Sequence, residues 1–397
     1  MFLRTKFLLK DCCKFVYYAG CGNYWYEDRS HETIPFKLYR FISFSMYTVM
    51  IFLENAAAVF GSFPSAEKNT AVMFAAMHNI LLIKFYLFFY HKVSIRKLNS
   101  EMGALGENLE EDNVMKKQYR KVKYGILFYV VTVYMSLGTY GLESTRKSIV
   151  EGVPFYTVVT YWPAYEDSTM IAAIFRVLFY ITWLYMMLPM MSVDCMPITH
   201  LICISYKFVT LRRHFERIRE EFDGDLVTMR KDEAEEKLWI GCLEGIKMHQ
   251  KLLYLANEIK RTFGITMSLQ MCQSSAFAVF LLLRLALSPH MDLTNAFMTF
   301  TFVGTLFYLL ALNLWNAGEL TYQASLLSPA VFYCGWHMCA ARRPRRDIRR
   351  LVLITCAQAQ KPLVFKAFGI QDLSYSTFVS VARMTYSVFA VFYQRGG

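Results

Sequence analysis

The sequence predicts an all-α membrane protein with seven transmembrane helices in an inverted topology, the amino terminus in the cytosol and the carboxyl terminus extracellular. Three observations carry that prediction: the bulk composition, seven apolar stretches of spanning length, and the alternation of lysine and arginine between them. A chain of 397 residues that is 55% hydrophobic and 19% charged, with a mean hydropathy of +0.27, has more apolar surface than a soluble protein of its size ordinarily carries. Lipid is the medium that can cover it. The formal net charge of +12 would suit nucleic acid, but the positive residues are fenced into particular intervals between apolar runs, which is a membrane pattern.

Residues 1–37 form a cytosolic amino-terminal segment. Its start, MFLRTKFLLKDCCKF, breaks a short apolar run with charges and offers no small-residue cleavage site, so no cleavable signal peptide is expected. Apolar stretches follow at 38–60, 71–91, 124–142, 170–194, 264–287, 293–315 and 373–393. Each is long enough to cross about 30 Å of hydrocarbon as a helix. The fourth is interrupted by Pro189 and Asp194, and the apolar run 195–206 carries it onward, so a tilt, a kink or a projection into the cytosol is expected there.

Orientation follows from the basic residues. Arg4, Lys6, Lys10, Lys14, Arg29 and Lys37 precede the first span; eight Lys and Arg lie in 92–123, twelve in 207–261 and eight in 316–366. The alternate intervals hold only Lys68, then Arg146 and Lys147, then none in 288–292, then Arg395 in the tail. The rich intervals are the cytosolic ones. Within them, 207–263 alternates charges at helical spacing (RRHFERIREEF, RKDEAEEKLW), which reads as a packed stalk extending the fourth and fifth helices. Residues 342–372 open on the basic cluster RRPRR and continue as a short amphipathic helix that stops at Lys361-Pro362, with a break at Gly369. The chain thus divides into 1–37, a helical body 38–341, an anchor-helix region 342–372, and the last span with its tail, 373–397.

Several function classes are excluded. The sequence has no Gly-rich phosphate loop, no His-Glu-x-x-His, and no nucleophile with a base and an orienter, so neither an enzyme nor a cofactor is expected. The ten cysteines all lie in helices or cytosolic intervals, which argues against a disulfide framework. The trio Cys334, His337 and Cys339 fits no usual zinc spacing, so no metal is expected. A membrane transporter is the competing class, but no internal repeat marks an inverted-repeat carrier. The sidedness is opposite to that of receptors coupled to G proteins, and the Asp-Arg-Tyr and Asn-Pro-x-x-Tyr signatures are missing.

Two sets of residues are candidates for function. In the last span, Ser380, Met384, Ser387, Val391 and Gln394 recur at spacings of 4, 3, 4 and 3 and share one face. Such a stripe is either a close-packing seam or a surface that meets water. Gln394, a polar amide one turn beyond Val391, suits a hydrated neck beside an apolar gate that closes by dewetting. Ionisable residues inside spans are Glu54, His78, Lys84, Arg176, Arg284 and Arg383. Each must face protein or water or snorkel. Lys84 and Arg284 lie toward opposite ends of their spans, where snorkelling is expected; Arg383 is mid-helix, one residue before Met384 of the stripe; and His78 suits a polar contact to a ligand, though a packed neutral imidazole needs none.

The runs GELTYQASLLSPAVFYCGW (318–336) and AQAQKPLVFKAFGIQDLSYSTFVSVARMTYSVFAVF (357–392), with the inverted seven-helix topology, resemble insect odorant receptors. That resemblance implies a ligand-gated non-selective cation channel in the plasma membrane of a sensory neuron dendrite. Its four subunits would meet through a cytosolic anchor, and the last helix of each would line the pore. Val391 matches the family's hydrophobic gate, Gln394 the polar residue outside it, and 345–361 the anchor helix. Gustatory receptors, which would make a homotetramer the alternative, carry Thr-Tyr, five apolar residues and Gln-Phe; here seven residues separate Thr385-Tyr386 from Gln394, and Arg395 follows. The cytosolic interval after the fourth span is modest, which favours a tuning subunit partnered by the odorant co-receptor (Orco) over the co-receptor itself. The family's odorant site, in the outer half of the bundle among helices two, three, four and six, implies Met73, Phe74, Met77 and His78; Met135, Ser136, Thr139 and Tyr140; Phe175 and Phe179; and Phe297, Phe300 and Thr301. Met and aromatic side chains suit a small, volatile, largely apolar ligand.

Overall fold

Helices carry nearly the whole chain in the computed structural model, which describes residues 4–27, 32–63, 65–286, 293–339 and 348–396. In order they are α1 (Thr5–Tyr18), α2 (Ile34–Phe60), α3 (Ser65–Tyr90), α4 (Lys92–Ala104), α5 (Asp112–Val150), α6 (Met170–Thr228), α7 (Lys231–Ala286), α8 (Leu293–Ser325), α9 (Leu327–Phe332), α10 (Ile348–Ala359) and α11 (Tyr375–Gly396). A two-residue hairpin, β1 (Lys366–Ala367) with β2 (Gln371–Asp372), pairs Lys366 with Asp372 just before α11.

Among the described residues, α2, α3, α5, α6, α7 and α8 are long and apolar enough to cross a membrane by composition. α11 completes the seven. Its 22 residues reach about 33 Å at 1.5 Å per residue, and its lower apolarity comes from the polar stripe it carries. The helix starting at Met170 is not broken at Pro189: α6 runs 59 residues through Pro189 and Pro197, about 90 Å at helical rise. The proline carbonyl at 189 takes the Ser192 hydroxyl at 2.8 Å. Two-thirds of α6 therefore lies outside any single bilayer crossing, as the charge pattern of 207–263 requires.

The basic end of the bundle is cytosolic by the positive-inside rule. There α6 and α7 run side by side at close range. A Cβ added to Gly245 would meet Phe215 Cζ at 2.6 Å, and the neighbouring His214 Nε2 lies 2.9 Å from Gly241 O. α1 is amphipathic and buries Leu8, Leu9, Cys12, Cys13 and Val16, with Cys12 Sγ 3.5 Å from Thr199 Oγ1 of α6. The same end is tied by Lys207 of α6, whose Nζ is 2.7 Å from Glu110 Oε1 with both side chains fully enclosed. α10 buries Ile348, Val352, Thr355, Cys356 and Ala359. The basic cluster at 342–346 lies outside the described residues. All ten cysteines are free thiols.

Candidate functional site

Three helices present matching faces to one enclosed space midway along the bundle. From α3 come Phe74, Met77, His78 and Leu81; from α5, Tyr129, Val133, Ser136 and Leu137; from α8, Phe302, Thr305, Leu306 and Leu309. Each set recurs at three- and four-residue steps, so each is a single helical stripe turned inward. α6 adds Trp183, Met187 and Met190, and α7 adds Gln270 and Gln273. The cavity they leave is about 50 Å³, above what one water needs. Apolar atoms make most of the wall.

The ceiling is aromatic. Tyr140 meets Phe74, Trp183 and Phe302 edge to face at centroid distances of 6.0, 6.2 and 5.9 Å, within the range where such pairs attract. Above it lies a second, more polar space of about 160 Å³ at the outer ends of α3, α5, α7 and α8, bordered by Glu67, Glu143, Lys147, Tyr156 and Arg284 and again by Tyr140. The segment between α5 and α6 folds over this vestibule. Arg176 holds it down, donating to Ala164 O at 2.8 Å and Asp167 O at 2.7 Å while its guanidinium stacks 4.7 Å from the Tyr156 ring.

The floor is polar, and most of its groups are paired. Lys84 Nζ lies 3.0 Å from Asp194 Oδ1 and also donates to Gln270 Oε1; the Tyr129 hydroxyl donates to Asp194 Oδ2 at 3.2 Å; Gln270 Nε2 donates to Ser274 Oγ at 2.9 Å. On the α3 side, His78 Nδ1 is 2.6 Å from Glu54 Oε2 of α2. Lys84 was expected to snorkel. It is instead 1% exposed, because Asp194, brought alongside by α6, gives its charge a partner inside the bundle. Arg284, by contrast, sits at the outer end as its position implied and donates to Thr70 Oγ1 at 2.8 Å.

The sequence-derived candidates separate by helical phase. Phe74, Met77, His78 and Ser136 line the cavity, and Tyr140 roofs it. Met73 is buried but is not part of the cavity lining, and Phe179 packs beside Phe175, whose ring meets Trp162 at 4.6 Å. The Thr139 and Thr301 hydroxyls fold back onto their own helices, at Ser136 O and Phe297 O. Met135, Phe297 and Phe300 are 57%, 57% and 55% exposed on the outside of the bundle. Phe302 lies about 200° around α8 from Phe300, and a helix apolar on every side gives no phase from composition alone. Sequence reasoning also passed over Trp183, Gln270 and Gln273; two amides three residues apart in an apolar span were the available signal.

The stripe on α11 faces away from the rest of the chain. Ser380, Met384 and Ser387 are exposed and Val391 is 49% exposed, while Thr385, turned about 100° or more away from them around the helix, is buried. Arg383 is also on the exposed side. Gln394 falls on the last turn of α11, and its side chain lies outside the described residues.

Comparison with known proteins places this arrangement. A family model described as 7tm Odorant receptor matches residues 65–386. A Drosophila melanogaster protein described as odorant receptor 69a, isoform B, is 23% identical over 197 residues, which span 47% of this chain and 44% of that protein. Two solved structures of the olfactory receptor OR5 from Machilis hrabei, one in complex with eugenol, superpose with a TM-score of 0.78 over 97% of both chains at 13% identity. The fold is theirs. The family is one of receptors rather than enzymes, and with the match running over most of its length this chain belongs to the 7tm odorant receptor family.

Proposed function

We propose that the chain is the odorant-binding subunit of an odorant-gated, non-selective cation channel of the plasma membrane, working in a tetramer with the odorant co-receptor. One observation carries the reading. An enclosed, mainly apolar cavity joins five helices in mid-bundle, while the polar stripe of α11 points out of the chain, where only another subunit, water or lipid can meet it. A ligand that fits the cavity better in one arrangement of those helices shifts the population toward it. α11 packs on α7 and α8, both of which line the cavity, so a change in their spacing reaches Ser380, Met384, Ser387, Val391 and Gln394 directly. Dewetting at a ring of Val391 closes the pore, and Gln394 hydrates its outer neck.

The test is current in cells expressing the chain with the co-receptor. Val133→Phe, which fills the cavity from α5, is expected to weaken the response to every odorant by about tenfold or more with surface expression retained. Val391→Ser is expected to raise the ligand-free current. Odorant responses untouched by Val133→Phe would refute the cavity as the site, and full current without the co-receptor would favour a homotetramer.

A further inference from the structure

Most polar groups on the cavity wall already have partners: His78 has Glu54, Tyr129 has Asp194, Gln270 has Ser274, and the Thr305 hydroxyl has Thr132 O at 3.1 Å. Three do not. Ser136 Oγ, Trp183 Nε1 and Gln273 Oε1 belong to residues of the cavity wall, are buried, and make no hydrogen bond among the described residues. Their residues are 1%, 2% and 4% exposed. Each sits on a different helix, α5, α6 and α7, around the same cavity.

We propose that the cavity selects small neutral molecules bearing a hydroxyl group, alcohols or phenols, over ethers, hydrocarbons and carboxylates of the same skeleton. The inference rests on the reading of this cavity as the odorant site. An indole N–H can only donate, an amide oxygen can only accept, and a serine hydroxyl does either. A guest hydroxyl is the smallest group that accepts from Trp183 and donates to Gln273 at once. If the Gln273 amide is turned over, the same hydroxyl accepts from its N–H and from Trp183 and donates to Ser136 Oγ instead, so the match holds in both orientations. An ether can only accept, and a hydrocarbon leaves all three groups unpaired, each at the cost of a buried unsatisfied polar atom. A carboxylate finds no Lys or Arg in the wall among the described residues, the nearby Lys84 is engaged by Asp194, and an unpaired charge in such a site is strongly disfavoured.

The experiment compares octanol with methyl heptyl ether, nonane and octanoate, and an alkylphenol with its methyl ether, by dose response in cells carrying the chain and the co-receptor. The hydroxyl compounds are expected to act at concentrations about tenfold or more below their matched partners. In the double variant Ser136→Ala with Gln273→Met, that advantage is expected to shrink to about twofold or less. Equal potency across the matched set, silence toward every hydroxyl compound, or an advantage that survives the double variant would overturn the proposal. Val133→Phe separates the two layers of inference. If it weakens all responses while the double variant changes nothing, the hydroxyl preference is wrong and the site stands; if neither variant moves any dose response, the site itself is elsewhere.

Discussion

At the scale of single residues, the buried charges decide what the bundle tolerates. Lys84 and Asp194 are each about 1% exposed at the side chain, and removing one partner strands the other in a low-dielectric interior. Lys84→Met or Asp194→Leu alone is expected to cost about 3–5 kcal/mol, read as lost surface expression and a lower melting temperature in detergent. The double variant should recover most of that; a double variant as unstable as either single would show that the pair's neighbours carry the effect. This pairing was not legible in the sequence, because the two residues are 110 positions apart and nothing local marks them as partners. At the cytosolic surface, burial alone would raise the Glu32 carboxyl, but hydrogen bonds from Lys92 and the Asn23 N–H and the charges of Lys92 and Arg40 outweigh it and hold the group below its usual range. A carboxyl held down in the fold stabilises fully above its unfolded value, about 4.3, and loses that contribution as pH falls through the folded value. Glu32→Gln is therefore expected to melt below the wild type at pH 7, with the gap closing under acid; a gap independent of pH would rule the bridge out.

At the scale of elements, legibility depended on whether a helix has one apolar face or many. The existence of the spans could be read from length and hydropathy, and of the four α3 candidates that the resemblance implied, Phe74, Met77 and His78 line the cavity while Met73 does not. On α8, the candidates Phe297 and Phe300 face outward. The last helix was the easiest to phase, since its small and polar residues differ from everything around them. That phase gives a direct test of the pore. With Cys272, the exposed native thiol, replaced by Ser, cysteine at Ser387 or Ser380 is expected to react with a charged thiol reagent added from outside during odorant application, and the current should fall. Cysteine at Thr385, on the buried face, should stay silent. Block from Thr385 but not from Ser387 would place the opposite face of α11 in the pore.

At the scale of the whole molecule, the exposed apolar surface falls into two kinds. Along α2, α5 and the outer half of α6, residues such as Phe52, Leu142 and Ile171 face what lipid covers in the spanning zone. Lipid cannot serve the cytosolic end, where α10 nevertheless exposes Leu353 and Ile354 at 53% and 58% beside Arg349 and Arg350, with Phe332 and Tyr333 open at the end of α9. A contiguous apolar patch in water marks a protein contact. The buried face of α10, with Val352 wholly enclosed, holds the helix on its own subunit, so its outer face is free to meet another. Leu353→Glu with Ile354→Glu should therefore leave the single chain folded, because exposed substitutions change stability by only about 0.5 kcal/mol, yet place two charges into any apolar contact made through this face. The expected result is loss of the proposed tetramer on a native gel in mild detergent, together with loss of odorant-evoked current, at a melting temperature close to that of the parent chain. Tetramers that survive both charges would move the subunit contact away from α10, and a collapse in melting temperature would mean that these two side chains serve the fold of their own subunit instead.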